Sequence, residues 1–282
     1  MSLHPTDVTT KSILITGCSS GIGLDTARTL KAKEWTVYAS CRAPEDCAKR
    51  EAEGFAAPQL DYQDPDSIAR CAKDVLAQSG NALDAVFHNG AYALPGPLED
   101  IPADGMRAQF EANFLGWHDL NRHLIPAMRK QGNGRILFNS SVLGLVGMKY
   151  RGAYVATKFA LEGYSDVLRM EMAGTGIRVV LIEPGPIETD FRKNAILQFE
   201  RWVDWKSSAR RKQYEDSLLD MLRQGGSNKV QWPASAVTDV VVKALTAQKP
   251  RARYGVTTPT HAIAIARRIL PTRALDWVLS KG

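Results

Sequence analysis

The sequence predicts an α/β protein built on a doubly wound parallel sheet of about seven strands, with helices on both faces. Short apolar runs alternate with amphipathic stretches over most of the 282 residues. A glycine-rich turn, TGCSSGIG, follows the first apolar run and opens the first amphipathic stretch. Because parallel strands need crossover helices, this alternation favours one α/β domain over residues 1–282, with a sizeable core.

The elements follow in order along the chain. Asp64 and Pro65 open one predicted helix as its cap and first residue, and Pro126 is expected to kink a longer one. The predicted strands are residues 12–16, 35–40, 55–61, 83–89, 134–141, 177–185 and 251–256. The predicted helices are residues 21–33, 64–80, 104–131, 152–174, 233–245 and a basic amphipathic stretch from about 260, which Pro271 divides.

Residues 188–232 interrupt this alternation. The segment is charged and includes Trp202, Trp205 and Trp232. Such a segment after a strand end suits a lid or wall over a binding site, but it also suits a surface helix pair with packed tryptophans. The substrate lid is our prediction, and the helix pair stays open as the alternative.

The turn after the first strand has the features of a phosphate-binding loop. Gly17 lets the chain leave the strand, Gly21 lets the backbone approach a pyrophosphate, and Gly23 allows close packing of helix on sheet. The helix N-terminus supplies amide donors and the positive end of its dipole. This setting predicts a Rossmann-type dinucleotide site formed by Gly17, Ser19, Ser20, Gly21, Ile22 and Gly23.

Arg42 indicates which dinucleotide binds. The second strand should end near the adenosine ribose, where an acidic residue would bind the 2′-hydroxyl of NAD. Here the strand ends Ala39-Ser40-Cys41-Arg42, with no carboxylate. A guanidinium suits a 2′-phosphate, so the sequence favours NADP, although an exposed loop arginine is the simpler alternative.

Tyr154 and Lys158 lie one helical turn apart in the run YVATK. Residues at i and i+4 share a helix face, and a neighbouring ammonium favours phenolate. We therefore expect the pKa of Tyr154, about 10 when unperturbed, to fall toward neutrality, which makes it a candidate proton donor and acceptor. Ser141, at the end of the buried run ILFNSS, is placed to reach the same point.

These motifs together resemble those of the classical short-chain dehydrogenases/reductases. The resemblance rests on TGCSSGIG, an Asn-containing turn after the fourth strand, Asn113 in NFLG, Ser141, YVATK and PGPIETDF, in order over almost the whole chain. Three of its motifs, TGCSSGIG, PGPIETDF and the C-terminal KPRARYGV…ILP pattern, are similar to those of the bacterial NADP-dependent aldehyde reductases. That branch is related to the 17β-hydroxysteroid and retinol dehydrogenases.

The resemblance implies hydride transfer between NADP(H) and an apolar aldehyde or ketone and its alcohol. Tyr154 would be the acid/base, and Lys158 would lower its pKa and bind the nicotinamide ribose. Ser141 would hold the substrate carbonyl, and Asn113 would support a water-linked proton path to Lys158. A non-catalytic NADP-binding sensor is the alternative in another functional class. Aliphatic aldehydes, retinoids, steroids and oxoacyl thioesters all stay open as substrates.

The resemblance also implies the remaining cofactor contacts. Asp61 and Tyr62 would touch the adenine, and the turn after the fourth strand would line the adenosine side. One departure stands in that turn, where the usual Asn-Asn-Ala-Gly is His88-Asn89-Gly90-Ala91. We expect His88 to be a packed strand-end residue. The implied cofactor residues are Asp61, Tyr62, Asn89, Gly90, Ala91, Tyr154, Lys158, Pro184, Gly185, Ile187 and Thr189.

Charge and composition set the expectations for partners and location. The net charge is +6, and residues 191–282 hold 17 Lys or Arg against 7 Asp or Glu. We interpret this basic third as a solvated surface; nucleic-acid binding is not expected, and peripheral membrane contact stays open without being favoured. The segment from 260 should instead pack on the domain or on a second subunit, in a homodimer or homotetramer.

Cysteines and hydropathy favour a cytoplasmic protein. The four cysteines form no CxxC pair and are interpreted as reduced thiols. No uninterrupted apolar stretch reaches about 18 residues, and the first residues lack a secretory apolar segment. His118 and His123 have no partners at metal-ligand spacing, so we expect no metal.

Overall fold

A parallel sheet forms the centre of the fold. The computed structural model describes residues 11–224 and 231–280. The strands are β1 Ser12–Ile15, β2 Thr36–Ala39, β3 Ala85–His88, β4 Gly134–Asn139, β5 Ile177–Glu183 and β6 Arg253–Gly255. They pair in parallel in the order β2-β1-β3-β4-β5-β6, which confirms the predicted doubly wound sheet.

Helices cover both faces of this sheet. They are α1 Gly21–Ala32, α2 Pro44–Ala52, α3 Pro65–Gln78, α4 Ala103–Phe110, α5 Gly116–Gln131, α6 Gly152–Glu171, α7 Phe191–Trp202, α8 Arg211–Gln213, α9 Leu219–Gln224, α10 Ala234–Thr246, α11 Thr258–Ile269 and α12 Thr272–Ser280. Successive strand residues point to opposite faces. Ile13 and Ile15 therefore pack with α1 and α10, whereas Leu14 packs with α3, α5 and α6.

The sheet has six strands in the described residues, and the strand predicted at 55–61 is wrong. This segment lies beside the outer edge of β2, where it makes two isolated bridges, Tyr38 to Ala56 and Cys41 to Gln59. Pro58 lies between the bridges and has no N–H to donate. A continuous ladder therefore does not form there.

The strand order creates a crevice at the carboxyl edge of the sheet. From β1 the chain goes to β2 on one side, whereas β3 to β6 extend on the other. Ligands of open α/β sheets bind where the order reverses in this way. The glycine loop after β1 and the turn after β3 both begin at this point.

The helix predicted at 104–131 is divided into two helices. The helical assignment runs through Pro126, and a π-helical turn at Glu111–Leu115 separates α4 from α5. Such turns insert an extra residue into a helix and occur frequently at functional sites. Asn113 lies in this turn.

The start of α3 confirms the predicted cap. A second helix, α2, was not predicted from the sequence. The Asp64 carboxylate accepts a hydrogen bond from the Asp66 N–H, and Pro65 is the first helical residue. In α2, Pro44 stands at the start and Glu45 and Asp46 follow in the first turn. This Pro-Glu-Asp run is a helix-start signal in the sequence.

Residues 191–224 form a helical layer of their own. Phe199, Tyr214 and Leu218 are buried there with Tyr92 and Leu94, from the segment after β3. Residues 225–230 of the predicted 188–232 lid lie outside the described residues. The layer is thus joined to the domain through the segment that follows β3.

The C-terminal helices leave apolar side chains exposed. In α11, Ile265 is 61% exposed and Ile269 is 72% exposed, and in α12 Trp277 is 61% exposed. Of the predicted apolar face, Ile269 is exposed whereas Ile263, Ala266 and Leu270 are partly buried, and α12 has no buried residue. The domain itself thus covers this face only in part, and packing on a second subunit stays a prediction. Over the described residues, no helix has the length and apolar character needed to cross a membrane.

Candidate active site

The glycine loop packs closely against the turn after β3. Gly17 has a φ of +70°, and a Cβ placed on it would lie 2.6 Å from the Gly90 Cα. A Cβ on Gly23 would lie 2.3 Å from the Gly17 oxygen. Only glycine fits at these two positions. The exchanged pair Gly90-Ala91 places the smaller residue against Gly17.

The N-terminus of α1 has the properties of an anion site. Ser20 stands at the cap position but its hydroxyl makes no capping bond, and the first turn holds no acidic residue. The first amide groups of a helix lack intrahelical partners and attract anions. Ser19 is exposed beside this end, and Ile22 packs partly into the core. The loop therefore fits a phosphate group.

Thr16 and Asn89 join the glycine loop to the strands beside it. The Thr16 hydroxyl accepts hydrogen bonds from the N–H groups of Asn89 (2.9 Å) and Gly90 (3.0 Å). The Asn89 amide donates to the Thr16 carbonyl (3.0 Å) and accepts from the Asn139 amide (2.8 Å). The ends of β1, β3 and β4 are thus connected by side-chain hydrogen bonds. Asn89 was predicted at this site, whereas Thr16 and Asn139 were not.

The Tyr62 side chain points into the core, so its predicted contact with the adenine would have to be made by its backbone. Its hydroxyl lies 2.9 Å from His88 Nδ1, and its ring lies against Trp117. Only the Tyr62 backbone is left for a cofactor contact. Asp61 is half-buried, and its carboxylate accepts the Gln63 N–H (3.0 Å).

Arg42 is exposed at the end of β2, as the prediction of a phosphate partner requires. Within the described residues it hydrogen-bonds through its carbonyl to Gln59 Nε2 (3.0 Å), and its side chain faces solvent. Arg50, which the sequence did not single out, is buried behind the loop. Its guanidinium donates to the Cys18 carbonyl (3.1 Å) and pairs with Glu53 (2.6 Å).

Tyr154, Lys158 and Ser141 meet at the carboxyl end of β4. Lys158 Nζ donates to the Asn139 carbonyl (2.7 Å) and lies 5.4 Å from the centre of the Tyr154 ring. Ser141 Oγ accepts the Leu143 N–H (3.1 Å), and the Ser141 hydroxyl favours a lower pKa of Tyr154. The sequence-predicted group is therefore assembled from α6 and the residues after β4.

Burial dominates the acid–base properties of this group. It lowers the pKa of Lys158 to about 7, and the nearby Glu162 carboxylate opposes this shift. It raises the pKa of Tyr154, and the Ser141 hydroxyl only partly offsets this effect. The expected fall of the Tyr154 pKa is therefore wrong for the protein alone, because the loss of water outweighs the nearby ammonium.

Asn113 fastens the segment after β3 to the π-helical turn. Its amide accepts the Tyr92 N–H (3.1 Å) and donates to the Tyr92 carbonyl (2.8 Å). A longer bond (3.4 Å) joins it to Thr157 Oγ1 on α6, beside Lys158. These contacts hold Asn113 in the wall of the site, without a direct bond to Lys158.

The segment after β5 closes the other side of the crevice. The Pro184 carbonyl accepts the Val142 N–H (2.8 Å), and a Cβ on Gly185 would lie 2.1 Å from Thr257 Oγ1. The Thr189 methyl group would lie 3.0 Å from a Cβ on Gly21, so this segment touches the glycine loop. Ile187, the next predicted residue, forms a bridge to Trp232. The predicted segments after β1, β3, β4 and β5 thus border one crevice.

The comparison with known families agrees with this arrangement. Residues 11–198 match the family model described as short chain dehydrogenase. The chain belongs to the short-chain dehydrogenase family. Its members are oxidoreductases. The loop, the crevice and the Ser-Tyr-Lys group of this short-chain dehydrogenase all lie within or beside the matched residues.

Relatives match this short-chain dehydrogenase over nearly its whole length. The uncharacterized oxidoreductase YbbO of Escherichia coli (strain K12) is 41% identical over 269 residues, which cover 95% of this chain and 94% of YbbO. Human 17-beta-hydroxysteroid dehydrogenase type 1 is 32% identical over 260 residues, covering 87% of this chain and 77% of that protein.

Solved structures share the fold. A short-chain dehydrogenase from Streptomyces avermitilis superposes with a TM-score of 0.76 at 28% identity, covering 97% of this chain and 94% of that one. A protein from Burkholderia cenocepacia in complex with NADP has a TM-score of 0.73 at 20% identity (96% and 97% covered). A short-chain dehydrogenase/reductase from Burkholderia phymatum in complex with NAD has a TM-score of 0.75 at 22% identity, covering 96% of this chain and 95% of that one. At these last two identities the likeness concerns the fold.

Phe191, at the start of α7, packs directly on Tyr154. The two rings meet edge to face, with centroids 5.4 Å apart. Ala93, Leu143 and Ala195 belong to the same apolar cluster around the tyrosine. The sequence pointed to aromatic residues in this segment, but only the fold shows which of them reaches Tyr154. In the described part of the chain, no group of three or more His, Cys, Asp or Glu could hold a metal ion.

His88 is buried beneath the cofactor crevice. Its Nε2 lies 2.9 Å from Asn121 Oδ1, so that nitrogen carries the proton and the Tyr62 hydroxyl donates to Nδ1. The ring stacks against both Trp117 and Phe138, with centroids 5.4 and 5.0 Å away. Burial lowers the pKa of His88 to about 4. His88 is therefore a neutral core residue, as the sequence predicted.

We expect His88 to make the native protein acid-sensitive. An unfolded histidine has a pKa of about 6.5, so below that pH the unfolded chain binds a proton that the native protein does not. As the pH is lowered from about 6.5 to about 4, the free energy of unfolding should therefore decrease, and this residue should account for on the order of 3 kcal/mol of the decrease. Urea unfolding at several pH values should show a flatter pH dependence for His88→Asn than for wild type, with His118→Asn, at an exposed histidine, as the control substitution. Equal slopes for His88→Asn and wild type would contradict the assignment.

Proposed function

We propose that this short-chain dehydrogenase transfers hydride between NADP(H) and an apolar aldehyde or ketone and its alcohol. The proposal rests on one observation. Ser141, Tyr154 and Lys158 meet at the carboxyl end of β4, where Asn139 and Asn89 connect them to the glycine loop. A proton donor and a dinucleotide site therefore share one crevice.

The residues of the crevice fit a dinucleotide. The uncapped N-terminus of α1 and the space over Gly21 suit the phosphates. Pro184, Ile187 and Thr189 would hold the nicotinamide end, and Lys158 its ribose. When bound, NADPH supplies the hydride that reduces the carbonyl carbon. Structures with this fold are known with NADP and with NAD, so the preference for NADP rests on Arg42.

The chain's own residues account for the proton. Ser141 would hold the carbonyl oxygen of the substrate, and Tyr154 would donate a proton to it. The raised pKa of the buried phenol keeps it protonated at neutral pH, ready to donate. The ammonium of Lys158 would stabilise the phenolate that remains. In the oxidation direction the same phenolate would take the proton from the alcohol.

The surroundings of Tyr154 support an apolar substrate. Phe191, Leu143 and Ala195 contact it, and Phe199 and Trp202 continue the apolar wall in α7. We propose that the 188–232 segment is the substrate wall and lid. The human relative is named for a hydroxysteroid, a largely apolar molecule. No observation favours the non-catalytic sensor, because every residue of the proton-transfer group is present.

Tyr154→Phe should abolish turnover while leaving NADPH binding intact. Only the hydroxyl is removed, and general acid–base catalysis contributes typically ~10²–10⁴-fold. Reduction rates and NADPH fluorescence should be measured together. Tyr164→Phe is the matched control, since this tyrosine lies on the same helix and its hydroxyl lies 3.1 Å from His118 instead. Wild-type kcat in Tyr154→Phe would exclude the assignment.

NADPH should be preferred over NADH, and Arg42→Asp should weaken or reverse the preference. Hydrogen bonds to charged groups contribute about 1.5–3 kcal/mol, which corresponds to roughly tenfold or more in kcat/KM. Lys49→Asp is the control, because it makes the same charge change on an exposed side chain of α2. Equal kcat/KM for the two cofactors in the wild type would rule out this role for Arg42.

The KM of straight-chain aldehydes should fall as the chain lengthens. Each added methylene buried against the α7 wall contributes about 0.8 kcal/mol. In Phe191→Ala the dependence on length should become shallower, whereas Leu197→Ala, at an exposed site on the same helix, should leave it unchanged. A flat wild-type series, or a preference for small charged carbonyls, would remove the support for an apolar wall.

A further inference from the structure

Lys158 and Glu162 lie one turn apart on α6 and contact two consecutive residues of the chain. Lys158 Nζ donates to the Asn139 carbonyl (2.7 Å), and the Ser140 hydroxyl donates to Glu162 Oε1 (2.5 Å). The next residue is Ser141. The side chains of one helix face thus hold the end of β4 at two adjacent points, directly before the serine of the proton-transfer group.

Glu162 is held from its other side as well. Arg253 of β6 donates to Glu162 Oε2 (3.1 Å) and forms two bonds of 2.8 Å with Asp166. A Cβ on Gly144 would lie 3.1 Å from Glu162 Cγ, so the side chain is also closely packed. Both carboxylate oxygens of Glu162 therefore accept a hydrogen bond, and the residue is buried, with 8% of its surface exposed.

The pKa of Glu162 lies above its usual value, because burial and the Asp166 carboxylate outweigh its hydrogen-bond partners. Burial raises the pKa of Glu162, whereas the bonds from Ser140 and Arg253 oppose that shift. Burial raises the pKa of Glu183, its acidic neighbour, to about 7, so Glu183 carries less negative charge near neutral pH. The charged and titratable groups facing Lys158 and Glu162 are Tyr154 and Asp166 on α6, Glu183 on β5, Arg253 on β6 and, beside Glu183, Arg268 on α11.

We propose that Glu162 is a positioning residue. Held by Ser140 and Arg253, it fixes α6 against the end of β4, and its carboxylate, one helical turn from Lys158, favours the ammonium form of that lysine beside Tyr154. Its carboxylate replaces part of the solvation that the buried ammonium has lost. The kinetic consequence rests on the proposed function, but the effect on Lys158 does not.

The first test measures Lys158 itself in the cofactor-free protein. Lysine 13Cε resonances are followed against pH, and the Lys158 signal is assigned by its loss in Lys158→Met. In Glu162→Gln the carboxylate is gone but size and hydrogen-bonding capacity remain. Removing a neighbouring anion disfavours the ammonium, so Lys158 should deprotonate at a pH lower by about one unit. Glu171→Gln, an exposed acid at the end of the same helix, should leave the titration unchanged.

The second test is the pH profile of kcat/KM for carbonyl reduction. The alkaline limb should move to lower pH in Glu162→Gln by the same amount, and Glu162→Asp, which keeps the charge, should restore part of it. Arg253→Gln should shift the limb in the same direction, because Glu162 loses the cation that favours its ionised form. This variant also covers the case in which Glu162→Gln does not fold.

The outcomes separate the two proposals. A Lys158 titration that is unchanged in Glu162→Gln overturns the positioning role. If Glu162→Gln fails to fold, an unchanged titration in Arg253→Gln overturns it instead. A shifted titration in a protein that reduces no carbonyl supports the role of Glu162 and rejects the proposed function.

Discussion

The buried ammonium of Lys158 is the interaction on which the site depends. The side chain is 1% exposed, and taking a charge out of water carries a large desolvation cost. The Asn139 carbonyl and the face of the Trp117 ring, 4.7 Å away, replace part of the lost hydration. Because that carbonyl belongs to the end of β4, holding the ammonium also fixes the residues just before Ser141. The hydrogen bond from Lys158 Nζ to the Asn139 carbonyl therefore both solvates the ammonium and holds α6 against the end of β4.

The same constraint extends across the sheet. Parallel strands end at one edge, and here their ends are linked by side chains, from Thr16 after β1 through Asn89 after β3 to Asn139 of β4. Gly17 and Gly90 are small because the two turns touch. A change in the glycine loop therefore reaches the residue that holds Lys158. This linkage gives the protein a physical means of aligning a bound dinucleotide with its proton donor.

Burial also explains why Tyr154 is neutral and Lys158 only partly charged near neutral pH. It lowers the pKa of Lys158 to about 7 and raises that of Tyr154, so the cofactor-free protein keeps a protonated phenol beside a lysine close to its midpoint. Below the crevice, His88 stays neutral in an aromatic stack for the same reason. The carboxylate of Glu162, one helical turn from Lys158, favours the ammonium form and opposes the effect of burial.

The sequence by itself determined the elements whose signals are local. Apolar runs predicted the six strands that form, Asp64-Pro65 predicted the start of α3, and the spacing of Tyr154 and Lys158 placed them on one helix face. Only the tertiary structure decided the features that depend on distant neighbours. It reduced the 55–61 segment to two bridges, turned Tyr62 into the core, and placed Arg253 of β6 on Glu162 of α6. It also reversed the expected shift of the Tyr154 pKa, because desolvation depends on everything packed around a group and spacing along a helix reports only one neighbour.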